Sequence, residues 1–541
     1  MLRDLRHTLN MTRSPRYATA LVALAGAGVL SLSSLAPASG AEGEPAPTPQ
    51  LACGPGSTPE EGIQGRVSKA EHDSGRAAKG YTCNTEMISH TASTGGFQVH
   101  RYVDAAGREC AYFDSTLLFP KDVATQEGPG TYVLDMTDPA KPVVTATLTT
   151  PAMLSPHESL RLNEKRGLLA AGMGYPTTNP GFVDVYDVSQ DCRQPVLKSS
   201  TPLGIFGHES AFSPDGLTFY VTGTLAPTLT ALDLTNPSVP RIVYSSVGEH
   251  MFHGLSLSDD GKTLYAADAG VGKRGLTVLD VTQVQERAAV PQVPVVSRLT
   301  WPTVSIPQNT DPVVIKGKPY LVEVDEYTSK SLNGPPGYDP SALIGAARII
   351  DIADVTAPKV VSDLRLAVHQ TENRATDQRN DPGASSGTQG YAGHYCSVPT
   401  RVNPTITACS MIASGLRVFD IRNPEKPVEI AYFNQPAPGG AFAMSAPTFV
   451  PERDEIWYSD GNSGFYVVRL TGAARAIARG QAVPVAAPAA RPAAPAAAPA
   501  APAPGAPSGG VLPSTGTETG LAAAGLVILG LLILVRRRRP A

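Results

Sequence analysis

The chain has 541 residues, 44 of them Lys or Arg against 48 Asp or Glu, for a formal net charge of −4. With 42% hydrophobic and 17% charged residues the composition is globular rather than disordered or membrane-embedded throughout, and the lack of basic excess argues against a nucleic-acid partner. The 51 glycines and 50 prolines exceed the usual share and call for many turns or a biased tail.

At the N-terminus, Arg13 and Arg16 precede the apolar run Ala18 to Leu35 and the small residues Ala36-Pro37-Ala38 and Ser39-Gly40-Ala41. This is the three-part order of a secretory signal peptide, expected over residues 1–41 with cleavage after Ala41, Ala38 being the nearest alternative. Met11 stands just before the basic pair, so either it or Met1 begins the chain. Residues 42–81 carry no periodic pattern and read as an irregular N-terminal segment.

Between residues 82 and 470 one phrase recurs, an alternating strand closed by aspartate. Its copies are Tyr132-Val133-Leu134-Asp135, Val185-Tyr186-Asp187, Ala231-Leu232-Asp233, Val278-Leu279-Asp280, Ile349-Ile350-Asp351, Val418-Phe419-Asp420 and the degenerate Val467-Val468-Arg469. Asn or Asp with Pro follows several copies, as at Asp138-Pro139, Asn236-Pro237 and Asn423-Pro424, which is turn chemistry before another strand. Upstream lie hairpins turned at Ser213-Pro214-Asp215-Gly216 and Ser258-Asp259-Asp260-Gly261. Units of four short antiparallel strands predict an all-β, seven-bladed β-propeller, with six or eight blades as the alternative counts. Thr85-Glu86-Met87-Ile88-Ser89 has the pattern of an outer strand lacking its own three predecessors and is expected to complete the last blade. The repeats resemble the LVIVD-repeat family, named for an apolar run ending in aspartate; the resemblance implies the fold and no common activity.

Six cysteines in a secreted chain point to disulfides. Cys396 and Cys409 lie on two arms of one expected hairpin and are paired. Cys83 with Cys110 would join the closing strand to the first blade, leaving Cys53 with Cys192.

Aligned by their turns, the hairpins place His157, His208 and His253 at the start of the innermost strand, with His394 at the same place in blade six. Blade five offers Asn309 or Asp311 there, and blade seven Ser445. Two interpretations are open: ligands for a divalent transition metal in the central channel, or a polar, water-filled lining hydrogen-bonded to loop backbone and repeated by duplication. Glu158 and Glu209 are candidate bases if the site is catalytic, although a regular strand would turn each away from its histidine. Insertions at 327–345 and 368–391, the second holding His369, Glu372 and Asn373, emerge at the same mouth.

Gly383-Ala384-Ser385-Ser386-Gly387 fits a nucleophile-elbow pattern but lacks the flanking strand and helix. His250 and His253 have a metal-site spacing without a helix to carry it. Trp301 and Trp457 read as blade packing.

From Thr471 to Val511 the chain turns to alanine and proline, the composition of a disordered, extended linker. Then come Leu512-Pro513-Ser514-Thr515-Gly516, an apolar segment at 519–535 and Arg536 to Arg539. This tail resembles the LPxTG sorting signal of Gram-positive cell-wall proteins. The resemblance implies sortase as a partner, cleavage after Thr515 and attachment to peptidoglycan, with membrane contact only through the transient apolar helix. The expectation is a wall-anchored surface propeller that binds an extracellular ligand or protein at the histidine-bearing mouth. The alternative is an extracytoplasmic metal-dependent enzyme using His157, His208, His253 and His394.

Overall fold

The structure is a computed structural model that describes residues 44–115, 130–174, 181–223, 226–326, 344–384 and 390–483. The expected signal peptide, most of the Ala/Pro-rich segment and the sorting signal lie outside them.

Seven antiparallel sheets form seven blades of a propeller. Blade one runs outward from Val99–Val103 through Glu109–Asp114 and Thr131–Asp135 to Val143–Leu148. The inner strands of blades two to five are Arg161–Asn163, Glu209–Phe212, Phe252–Leu257 and Ile306–Ile315. Those of blades six and seven are Tyr395–Ser397 and Thr448–Val450. Blade seven takes its outer strand from the N-terminal side of the ring: Thr85–Thr91 pairs antiparallel with Gly464–Leu470, as the sequence predicted. Across that seam Val99, Phe113 and Leu134 pack on Val450, Trp457 and Phe465, so apolar burial between blades seals the ring.

The recurrent aspartate has a local cause. In Asp135, Asp187, Asp233, Asp280, Asp351 and Asp420 the side chain accepts a hydrogen bond of 2.8–3.0 Å from the backbone N–H two residues on. An aspartate at the end of the third strand thus closes an Asx turn that delivers the chain to the outer strand. The turn also satisfies an amide that has left the ladder.

The chain before the ring is not irregular. Residues 44–83 form a strap over blades five and six, with a helix at Lys69–Asp73 whose N-terminus is capped by Ser68 and Glu71. Its strand Tyr81–Cys83 adds a fifth strand outside Val428–Asn434. Glu60 pairs with buried Arg417, Gln64 donates to Glu429 at 2.6 Å, and Arg66 bridges Asp381 at 2.8 Å. The folded region also continues past 470, because the helix Gly472–Ala478 buries Ala474 and Ile477 against blades six and seven.

Cys396–Cys409 forms as predicted, between directly paired positions of one hairpin. The other two pairings differ: Cys53 joins Cys83 and Cys110 joins Cys192. Cys83 belongs to the added strand of blade six, beside Tyr432, rather than to the closing strand of blade seven, and this places it against the strap. Cys110 lies on the second strand of blade one and faces the turn after the third strand of blade two.

Candidate metal centre

The four histidines meet. His157 and His208 lie just before inner strands, His253 is the second residue of Phe252–Leu257, and His394 immediately precedes Tyr395–Ser397, all at one end of the channel. Glu158 stands among them. Its carboxylate oxygens lie 2.9 Å from His253 Nε2, 3.1 Å from His208 Nε2, 3.2 Å from His394 Nε2 and 3.8 Å from His157 Nε2. A second carboxylate, Glu326, sits 3.4 Å from His394 Nε2 and 3.6 Å from His253 Nδ1. All six side chains are buried.

Three local features hold this arrangement. His157 has φ +52°, a left-handed backbone that breaks the pleat and lets His157 and Glu158 both face the axis. The expectation that Glu158 would point away assumed a regular strand at this point. Gly174 lies where a Cβ would come 2.7 Å from the Pro156 carbonyl and 2.9 Å from the His157 Cβ. Gly254 allows the blade-five backbone against His253, since a Cβ there would fall 2.2 Å from the Gln308 carbonyl oxygen. That contact accounts for blade four reading His-Gly where blades two and three read His-Glu.

The outer ring nitrogens are fixed by backbone. His394 Nδ1 lies 2.6 Å from the Met444 carbonyl and His253 Nδ1 lies 3.1 Å from that of Pro307. Each carbonyl requires an N–H at Nδ1, which leaves Nε2 facing the axis, the second-sphere arrangement typical of metal-ligating histidine. His208 Nε2 and His253 Nε2 are 3.0 Å apart. Neighbouring ligands each about 2.0–2.1 Å from one ion at right angles would be separated by about 3 Å, so these edges fit a shared cation.

Charge gives the same picture. Burial works against charge on His253 and His394, but Glu158 and Glu326 outweigh it and hold both up at about 9. Burial and the other imidazoles push His157 down to about 3. Against its own burial, Glu158 is held well below the usual carboxylate range by the surrounding histidines. Without an ion, two imidazolium protons thus provide the positive charge that one divalent cation would bring. Imidazole with carboxylate suits Zn, Fe, Mn or Ni, and binding would release those protons.

Of the other expected positions, Asn309 and Asp311 lie further along the channel. A bulge between Pro307 and Asn309 shifts the register, so Pro307 takes the place opposite His253 and Glu326 supplies the blade-five ligand from the second strand. Ser445 instead bonds backbone, accepting from Ser459 N–H at 2.7 Å. Glu209 is no free base: Arg161 holds it at 2.6 Å and the Tyr395 hydroxyl donates to it. Burial raises its pKa. His369 accepts from Leu366 N–H within the insertion and stays outside the cluster, while Asn373 donates to the Ala367 carbonyl. His250 stacks on Phe252 and is absent from the centre. Sequence reasoning missed Glu326, although the second strands of four blades end in an acid, at Asp114, Asp268, Glu326 and Asp460.

Fold and site together define a seven-bladed β-propeller with a histidine–carboxylate centre on its axis. No protein-family profile and no curated protein matches the chain. Among solved structures, the chain is similar to a putative 6-phosphogluconolactonase from Bacteroides uniformis at 11% identity, covering 62% of this chain and 86% of that one, with a TM-score of 0.42. It is also similar to hydrazine synthase of Kuenenia stuttgartiensis at 15% identity, covering 71% and 97%, with a TM-score of 0.44. Similarity this distant assigns no activity to the chain.

Proposed function

We propose that the protein is a secreted, cell-wall-anchored propeller of the LVIVD-repeat type that holds one divalent transition metal in its channel and displays the metal-bearing mouth to an extracellular ligand. The observation that carries the metal is the convergence of three histidine Nε2 atoms, each within 3.2 Å of the Glu158 carboxylate. A lining held only by loop backbone would need neither that convergence nor a second buried carboxylate at Glu326.

The wall anchor rests on Leu512-Pro513-Ser514-Thr515-Gly516 followed by an apolar segment and four arginines. An apolar stop with a basic end is retained at the membrane long enough for a sortase to act. The Ala/Pro-rich linker, at about 3.1 Å per residue when extended, would hold the propeller on the order of 100 Å from its attachment point.

A metal-dependent reaction is the second reading. It is favoured by Tyr395 and Glu209, a hydrogen-bonded pair directly beside His394 that is not needed to hold an ion.

Metal analysis of the mature chain, purified without chelator beside a His208→Ala variant, tests the proposal. One equivalent of transition metal per chain, lost in the variant, is expected. Metal-free protein that takes up none of zinc, iron(II), manganese or nickel on titration would refute it.

A further inference from the structure

Beyond the centre, further along the inner strands, the channel opens into a cavity of about 300 Å³. Its wall includes Gln98, Arg161, Ser256, Asn309, Asp311 and Tyr395. A cavity of this size is large enough for a monosaccharide-sized molecule and lies at the lower end of the range for ligand sites.

Two features mark it as more than a gap between blades. The first is Gln98, a residue only 1% exposed whose Nε2 has no hydrogen-bond partner. A buried amide donor left unmade costs about 1–3 kcal/mol, so a wall residue that carries one gains from any acceptor brought within its reach. The second is the charge distribution. Arg161 is neutralised by Glu209, and its Nη1 is engaged by the Glu158 and Leu160 carbonyls. His100, also on the wall, is neutral at pH 7, because burial takes it down to about 4. Arg401, the other cation near Asp311, is committed to Asp259 at 2.5 Å. Asp311 is then the one charge on the wall without an ion partner among the described residues, and burial raises its carboxyl to about 6.

Asp311 accepts a hydrogen bond from the Val398 backbone N–H but has no counter-ion; an anion would add to that charge, and a neutral sugar would leave it uncompensated. We propose that the cavity is a binding site, distinct from the histidine–carboxylate centre, for a small hydroxylated primary amine. Its ammonium group pairs with Asp311, and its neutral oxygens accept from Gln98 Nε2 and from N–H groups of Arg161 that the backbone and Glu209 leave over. Ser256, whose hydroxyl shares a 2.8 Å hydrogen bond with Thr310, supplies a neutral polar surface.

Calorimetric titration of chelator-treated protein with glucosamine and ethanolamine tests this, with N-acetylglucosamine and ethylene glycol as uncharged counterparts. The site owes nothing to a bound ion, so failure of the metal proposal would leave the result unchanged. One equivalent of amine should bind, with the uncharged counterpart at least about tenfold weaker. Asp311→Asn, which keeps the shape, should lose at least about tenfold in amine affinity, and Gln98→Met should lose several-fold while retaining the preference for the amine. Melting temperatures no lower than that of the wild type establish that both variants are folded. Equal binding of charged and uncharged probes, an unaffected Asp311→Asn variant, or no heat from either amine at about 10 mM would overturn the proposal.

Discussion

Glutamine in place of Glu158 probes the charge balance on which the centre depends. In chelator-treated protein, His253 and His394 keep their protons to about pH 9, because Glu158 and Glu326 outweigh burial. Glu158 lies 2.9 and 3.2 Å from their Nε2 atoms, and Glu158→Gln preserves its shape while removing its charge. Losing one partner of a buried ion pair costs about 3–5 kcal/mol. The sign with pH follows from the folded histidine pKa lying above the ordinary value of about 6.5: the stabilisation is complete below about 6.5 and disappears as pH rises through about 9. Urea unfolding of chelator-treated protein should therefore show Glu158→Gln destabilised by about 3–5 kcal/mol near pH 6, with most of the difference gone near pH 10. An equal penalty at both pH values would show that Glu158 acts by packing, and no penalty near pH 6 would show that the imidazoles are not charged. Either result refutes the reasoning.

Three further outcomes are expected. Asp311→Asn should match the wild type in stability near pH 4 and exceed it by about 1–3 kcal/mol near pH 7, since a carboxyl raised to about 6 contributes stability that is lost as pH climbs through that value; a variant less stable than the wild type near pH 7 would contradict this. Gly254→Ala puts a methyl group 2.2 Å from the Gln308 carbonyl oxygen, so thermal melts should show a loss of about 1–3 kcal/mol, and metal analysis a reduced metal content as His253 shifts; wild-type values of both would contradict it. Muramidase digestion of the cell wall should release a chain ending at Thr515, whereas recovery by detergent alone would contradict covalent anchoring.

How much of this was legible in sequence depended on where register was fixed. The turns Ser213-Pro214-Asp215-Gly216 and Ser258-Asp259-Asp260-Gly261 set the inner hairpins of blades three and four, so His208 and His253 could be aligned, and His157 and His394 with them. The closing strand at Thr85–Thr91 was equally visible, since an outer-strand pattern with no blade of its own has one place to go. Blade five offered no such anchor. Its inner hairpin is bulged at Pro307/Asn309, which moves Asn309 and Asp311 out of the ring, and its ligand comes from the far arm. Alternation puts Glu158 on the wrong face, because it predicts side-chain direction only while φ stays extended and His157 leaves that region. The strap followed no repeat, and its anchoring to Arg417, Glu429 and Asp381 is tertiary, so neither its structure nor the Cys53–Cys83 bond could be inferred from spacing.

The most direct measurement is anomalous X-ray scattering from crystals of the mature chain grown without chelator, with data collected on either side of the absorption edge of whichever metal elemental analysis detects. One peak is predicted on the propeller axis, within about 2.0–2.3 Å of the Nε2 atoms of at least three of His157, His208, His253 and His394 and of a Glu158 or Glu326 oxygen. An axis without anomalous signal in crystals soaked with zinc or manganese, the imidazoles instead hydrogen-bonded to Glu158 and water, would contradict the metal centre.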